Sequence, residues 1–148
     1  MSVDLLASDP TEWANQIRAL LPLVDLFCPN DDQIQALYGV DDVATAAHRA
    51  RADGATVVVA STGPDGAIIV DDDGLRSVPA FATEVIDTTG CGDSVSAGII
   101  DGLRGGSPID TATRRGMATA ALVCERLGSD AGLTPDRVDE VLANRSTI

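Results

Sequence analysis

The 148-residue chain has no lysine, and all ten of its basic residues are arginine. That absence removes a P-loop lysine and a Schiff-base lysine as mechanisms. There is one histidine, His48, in an alanine-rich helical run beside Arg49 and Arg51. No matching nucleophile or metal ligand stands near it, so it is expected on a solvated helix face. Aromatic residues make up 3% of the chain, and Trp13 and Phe27 read as core anchors rather than base-stacking platforms. The three cysteines, Cys28, Cys91 and Cys124, are odd in number and never form a C-x-x-C pair. Free thiols of a cytoplasmic protein fit this pattern, and a zinc site fits it poorly. The longest apolar stretches, residues 56–60 and 67–70, fall well short of the roughly 18 residues of a membrane span. Residues 1–10 also lack the basic start of a signal peptide. The 23 acidic residues outweigh the arginines, giving a net charge of −13. Neither nucleic acid nor an anionic membrane is an expected partner, and a phosphate-bearing ligand has to be held by local geometry.

With 45% apolar residues the chain can build an ordinary core. A short strand is expected over residues 2–6, followed by a helix that Asp9, Pro10 and Glu12 open as a capping box. Trp13, Ile17, Leu20 and Leu21 would form the apolar face of that helix. Residues 24–28 read as a strand, Asn30 opens a helix with Ile34 and Leu37 inward, and Asp41 starts another that runs to Gly54. Residues 57–60 are short and uniformly apolar, the pattern of a strand covered on both faces. Residues 67–70 and 75–79 flank Asp71-Asp72-Asp73-Gly74, a turn cluster that predicts an antiparallel hairpin and reads as a solvated turn rather than a cation site. The last third is helical over 93–103, with Val95, Ile99 and Leu103 inward, then over 109–127, then after Thr134 with Val138, Val141 and Leu142 inward. One α/β domain covering residues 1–148 accounts for this order.

The most informative stretch is Asp87-Thr88-Thr89-Gly90-Cys91-Gly92-Asp93, between an expected strand at 84–86 and the helix from Asp93. Two glycines around a small residue let the backbone turn its N–H groups toward a phosphate, and the helix N-terminus adds partial positive charge. A carboxylate there repels phosphate unless it has a task, and deprotonating an acceptor hydroxyl is such a task. On spacing alone, Gly-x-Gly-Asp is equally a tight turn with Asp93 as N-cap. Cys91 at a helix start also raises an activated thiol, but a C-x5-R phosphate loop would need Arg where Ala97 stands.

Residues 87–93 resemble the D-T-T-G-A-G-D signature of the ribokinase-like (PfkB) carbohydrate kinases, with Cys91 in place of alanine. Asn30 through Gly39 is similar to that family's P-N-x-x-E…L-x-G segment, and Ser61 to Gly66 to its T-x-G-x-x-G turn. Residues 127–132 resemble a late loop of some sugar-kinase members. The resemblance implies a three-layer α/β/α fold with a mostly parallel sheet and an antiparallel hairpin at one side. It implies a transferase that moves phosphoryl from MgATP to a hydroxyl of a sugar or related small molecule. Gly90, Cys91 and Gly92 would form the anion hole and Asp93 the catalytic base. Asn30, Ser61, Gly63, Gly66 and Gly128 would bind nucleotide, and Asp87 would lie near a monovalent cation such as potassium.

Two departures bear on these expectations. Gln33 stands where the family has the glutamate linked to magnesium, and Asn30 with Gln33 reads equally as an N-x-x-Q capping box. Val95 replaces a family phenylalanine. The chain also resembles only the C-terminal, nucleotide-binding half of such kinases, without the substrate and lid half. It is therefore expected not to phosphorylate a sugar efficiently alone, and to pair with that half or with a second copy of itself. The strands at 2–6 and 75–79 are the expected sheet edges. The alternative is a non-catalytic nucleotide-binding or regulatory module.

Overall fold

In the computed structural model, residues 2–3, 10–128 and 132–148 are described. They fall into two compact units, one of Met1–Thr62 with Ile68–Ser77, the other of Gly63–Ala67 with Val78–Ile148.

The first unit is built from β1 (Ser2–Val3), α1 (Pro10–Leu20), β2 (Leu26–Phe27), α2 (Asp31–Tyr38), α3 (Val43–Ala52), β3 (Val57–Ser61), β4 (Ala67–Asp71) and β5 (Gly74–Val78). The five strands form one sheet in chain order. Strands β1, β2 and β3 are parallel, with Ser2 opposite Leu26 and Leu26 opposite Val57. Helices occupy both crossovers, as parallel pairing requires. A bridge between Asn30 and Ser61 continues the β2–β3 register past the named strands. Phe27, Ile34, Val58 and Ala60 are fully buried with Leu21 and with Ala46, Ala47 and Ala50 of α3, and Trp13 packs against them. Both expected aromatic anchors therefore belong to this core. His48 is exposed, as its alanine-rich helix predicts.

Strand β4 and strand β5 are joined by the two residues Asp72 and Asp73, so they run antiparallel. Arg76 donates to both Asp71 oxygens at 2.8 Å, and the Asp73 N–H donates to Asp71 Oδ1 at 2.9 Å. Asp72 pairs with Arg51. The acidic cluster is a turn, as expected, but not a wholly solvated one, because Arg76 covers and holds Asp71, and β1 and β5 are the two ends of the sheet order.

The boundaries differ in places. Strand β2 is shorter than residues 24–28, although the Val24 and Asp25 carbonyls accept from the Thr56 and Val57 amides at 2.9 and 3.0 Å and so tie the preceding residues to the start of β3. Helix α3 is capped by Asp42, not Asp41, since the Asp42 carboxylate reaches the Thr45 N–H at 2.7 Å. Residues 4–6 of the expected first strand and the Asp9 cap lie outside the described residues.

The second unit contains α4 (Cys91–Arg104), α5 (Ile109–Cys124) and α6 (Pro135–Asn144). Helices α4 and α5 approach closely through glycine. A Cβ on Gly98 would sit 2.6 Å from Thr119 Oγ1 and 2.7 Å from Gly116 Cα, and one on Gly102 would sit 2.8 Å from Ala112 Cα. The buried stripe of α4 thus runs through Val95, Gly98, Ile99 and Gly102. Leu103, expected inward, is 38% exposed because Gly102 takes that place against α5. Helix α5 ends at Cys124, three residues before the expected Leu127. Helix α6 is capped by Thr134, with Val138 and Val141 buried.

Residues 84–86 are not a strand, although valine and isoleucine favour one. The Ile86 and Asp87 amides both donate to the Cys124 carbonyl, at 2.7 and 3.2 Å, so the end of α5 takes the donors that a ladder would use. The ladder forms instead at Phe81, which bridges Thr147 antiparallel, with the Ala82 N–H on the Ser146 carbonyl at 2.9 Å. Residues 80–82 and 146–148 carried no alternation or turn signal strong enough to predict this pairing.

Candidate functional site

The segment 87–93 forms the turn that begins α4. Gly90 is the N-cap, at φ 81°, a left-handed conformation that a side chain disfavours. The helix therefore starts at Cys91, two residues before the expected Asp93, because Gly90 rather than Asp93 turns the chain into the helix. That settles the capping alternative: Asp93 stands in the first helical turn and is not the N-cap. The Cys91 N–H donates to the Thr88 carbonyl at 3.1 Å, closing the turn.

Gly92 has an ordinary helical place, and a Cβ built on it meets nothing within 4 Å. Glycine in a helix costs up to about 1 kcal/mol relative to alanine. No packing requirement explains its presence there. A Cβ there would project into open space at the start of α4, the end of a helix where an anion is favoured. Asp93, one residue on, is exposed on the same first turn.

Asp87 holds the turn together. Its Oδ1 accepts from the Thr89 N–H at 2.9 Å and the Thr89 hydroxyl at 2.8 Å, and its Oδ2 accepts from the Gly128 N–H at 2.8 Å. These donors, the Gly128 and Thr89 amides foremost, hold its carboxyl below the usual aspartate range. The bond to Gly128 brings the loop after α5 to the turn before α4. Residues 129–131 of the expected late loop lie outside the described residues.

Among the described residues, nothing around Cys91 lowers its thiol as an activated nucleophile would require. Burial, with the Cys124 sulfur beside it, pushes its thiol up to about 12. No disulfide joins Cys28, Cys91 or Cys124 in this structure.

Nearby, Glu125 accepts from Arg145 at 2.5 and 3.1 Å and from the Thr83 hydroxyl at 2.8 Å. Thr83 also donates to the Ala121 carbonyl at 3.0 Å, so residues 81–86 are fastened to α5. The arginine bonds hold the Glu125 carboxyl below its usual range. A depressed carboxylate stabilises the fold at neutral pH, and that contribution is lost as pH falls through the folded-state value. Arg145→Met is therefore expected to lower stability at neutral pH by up to about 1 kcal/mol. The gap to wild type should close below the ordinary glutamate range, which thermal melts at stepped pH will show. A gap that persists unchanged in acid would assign the loss to packing.

The remaining predicted residues lie apart in the chain. In the second unit, Gly66 is buried, and a Cβ there would sit 2.1 Å from the Val78 carbonyl oxygen, so its glycine is required by backbone approach. Gly63 is exposed with open space around it. In the first unit, Asn30 and Ser61 meet at the bridge already described. Asn30 Oδ1 accepts from the Gln33 N–H at 2.8 Å and Gln33 Oε1 accepts from the Asn30 N–H at 2.9 Å, a complete capping box. Among the described residues, no three His, Cys, Asp or Glu side chains are grouped to hold a metal. Cys124 and Glu125 were missed as parts of the site because their partners stand where no local spacing connects them, whereas Thr89 bonds Asp87 only two residues away, a local Asx-turn spacing that could have found it.

A mixed sheet with helical crossovers, followed by a glycine turn opening a helix, defines a ribokinase-like α/β protein. The ribokinase of Thermotoga maritima has the same fold, with a TM-score of 0.81 at 26% identity over 86% of this chain and 45% of that one. The aminoimidazole riboside kinase of Salmonella enterica, complexed with aminoimidazole riboside and an ATP analog, shares the fold at TM-score 0.84 and 24% identity, over 95% and 50%. Residues 2–137 match the pfkB family of carbohydrate kinases, and the chain belongs to that family. A 2-dehydro-3-deoxygalactonokinase of Haloferax volcanii is 33% identical over 135 residues, 90% of this chain and 42% of the relative. A 1-phosphofructokinase of the same organism is 35% identical over 125 residues, 81% and 40%. The chain thus spans less than half the length of these relatives. No helix among the described residues is long and apolar enough to cross a membrane.

Proposed function

We propose that the chain supplies the nucleotide side of an ATP-dependent phosphoryl transfer to a hydroxyl of a sugar or related small molecule. The observation that carries this reading is the first turn of α4, where left-handed Gly90 and open Gly92 leave a cradle beside an exposed Asp93. In a lysine-free chain with net charge −13, backbone N–H groups and a helix terminus are a way to hold phosphate without bulk positive charge, and this turn offers both. Gly90, Cys91 and Gly92 act as the anion hole, stabilising charge that develops on the transferred group, with the Cys91 N–H exchanging its 3.1 Å bond to the Thr88 carbonyl for the anion. Asp93 accepts the proton of the attacking hydroxyl. Asp87 and Gly128 hold the turn in place, and a monovalent cation such as potassium would lie near Asp87.

Asn30, Ser61, Gly63 and Gly66 are proposed nucleotide contacts from the family resemblance. The Asn30–Gln33 capping box favours a structural role for Gln33 over magnesium handling. Magnesium would arrive with the nucleotide and neutralise phosphate charge. A cytoplasmic setting fits this use of ATP and ADP. We also propose that the sugar-binding and lid elements come from a partner, either a separate half or a second copy.

Calorimetric titration of the folded chain with MgADP and MgATP tests the nucleotide reading. Binding is expected for wild type and lost in Gly92→Asp, which fills the cradle with a carboxylate. Since a Cβ at Gly92 meets nothing, the variant should keep its circular dichroism spectrum and melting temperature. Equal binding by both proteins, or none by the folded wild type, would overturn the assignment.

A further inference from the structure

We propose that Cys91 and Cys124 form a thiol–disulfide exchange site, at which a low-molecular-weight disulfide joins them into an intramolecular bond that clips the phosphate turn to the end of α5. Cys91 is the first residue of α4 and Cys124 the last of α5. Their sulfurs lie 2.7 Å apart, and both residues are half-buried rather than sealed in the core. Two further contacts fix that approach. The Cys124 carbonyl accepts the Ile86 and Asp87 amides, and the Gly98–Gly116 contact prevents the helices from drifting apart. The two thiols take no part in the proposed phosphate contacts, which use the backbone of residues 90–92.

The exchange proceeds in two displacements. One protein thiol, as its thiolate, attacks a sulfur of the small disulfide, forming a mixed disulfide and releasing one small thiolate. The second protein thiol then displaces the other half, leaving the Cys91–Cys124 bond. The protein loses two electrons and two protons, and the reagent leaves as two thiols. Because burial raises the Cys91 thiol, the reaction should quicken from about pH 7 to about pH 9.

The test treats the folded chain with glutathione disulfide and follows it by intact mass, peptide mapping and melting temperature. The expected product is a monomer lighter by about 2 Da, the two thiol hydrogens. Peptide mapping should link Cys91 to Cys124 and leave Cys28 as a thiol. Closing this loop should raise the melting temperature by about 5–10 °C, and dithiothreitol should reverse the change. Cys91→Ala and Cys124→Ala, each checked for folding by circular dichroism, should show no such mass loss. A persistent glutathione adduct, a disulfide-linked dimer, a bond to Cys28 or an unmodified wild type would each overturn the proposal. None of these readouts depends on nucleotide binding, so the proposal and the kinase reading can fail separately.

Discussion

Asp93→Asn is expected to leave MgATP binding unchanged or tighter while reducing sugar-dependent turnover by about 10²- to 10⁴-fold, the usual contribution of a positioned general base. The two effects have opposite signs because the carboxylate has opposite consequences in the two states. With nucleotide bound, a negative group in the first turn of α4 repels the phosphates. In the transition state, the same group takes the proton that the attacking hydroxyl must lose. Asparagine keeps the size and removes both effects. Binding is read by calorimetry on the chain, and turnover by ADP release in the assembly that phosphorylates the acceptor. An unchanged rate would remove Asp93 as the base. Weaker binding in the variant would show that the carboxylate is a ligand or a support of the turn. If the wild type binds nucleotide and no assembly containing it turns over, the chain is a binding module.

The second large effect is structural. Gly98→Leu or Gly116→Leu should cost more than about 3 kcal/mol and prevent stable folding of the second unit. The alanine variants are more informative. Alanine in a helix interior ordinarily stabilises by about 1 kcal/mol relative to glycine. At Gly116 the added Cβ would sit 2.7 Å from the Val95 carbonyl oxygen and 2.9 Å from Ile99 Cγ1, and at Gly98 it would approach Gly116 Cα. Neither neighbour is the loose end of a flexible chain. Gly98→Ala and Gly116→Ala should therefore lose about 1–3 kcal/mol despite the better propensity. Gly92→Ala, with nothing near its Cβ, should be neutral or gain up to about 1 kcal/mol. Urea unfolding of these variants separates a glycine kept for packing from one kept for a ligand. Similar changes at Gly92 and Gly98 would refute that distinction.

The sequence showed the elements whose signals are local. Periodicity placed Ile34, Leu37, Val95 and Ile99 inward, the Asp-Gly step placed the hairpin, and Thr134 placed the last cap. The glycine turn was visible because seven consecutive residues carry it. What was not visible depends on partners far along the chain. The strand expected at 84–86 lost its donors to the end of α5, a competition that no window of neighbouring residues contains. Leu103 followed the helical period but was displaced from the buried stripe by Gly102, which has no hydrophobic signal at all. The 91–124 sulfur contact and the Thr83–Glu125–Arg145 network join residues tens of positions apart, so spacing could not suggest them.

Helix α5 carries both edges of the turn that begins α4. Its terminal carbonyl at Cys124 fixes residues 86 and 87, and its glycine contact with α4 fixes the helix that begins at Cys91. The turn is thus part of the same cooperative opening unit as the helical pair, not an independently fraying loop. Amide hydrogens at the start of α4 that are held by hydrogen bonds, such as that of Ser94, should exchange with solvent on the timescale of α4–α5 separation. If the turn binds an anion as proposed, this shared rigidity should limit the affinity lost to ordering it.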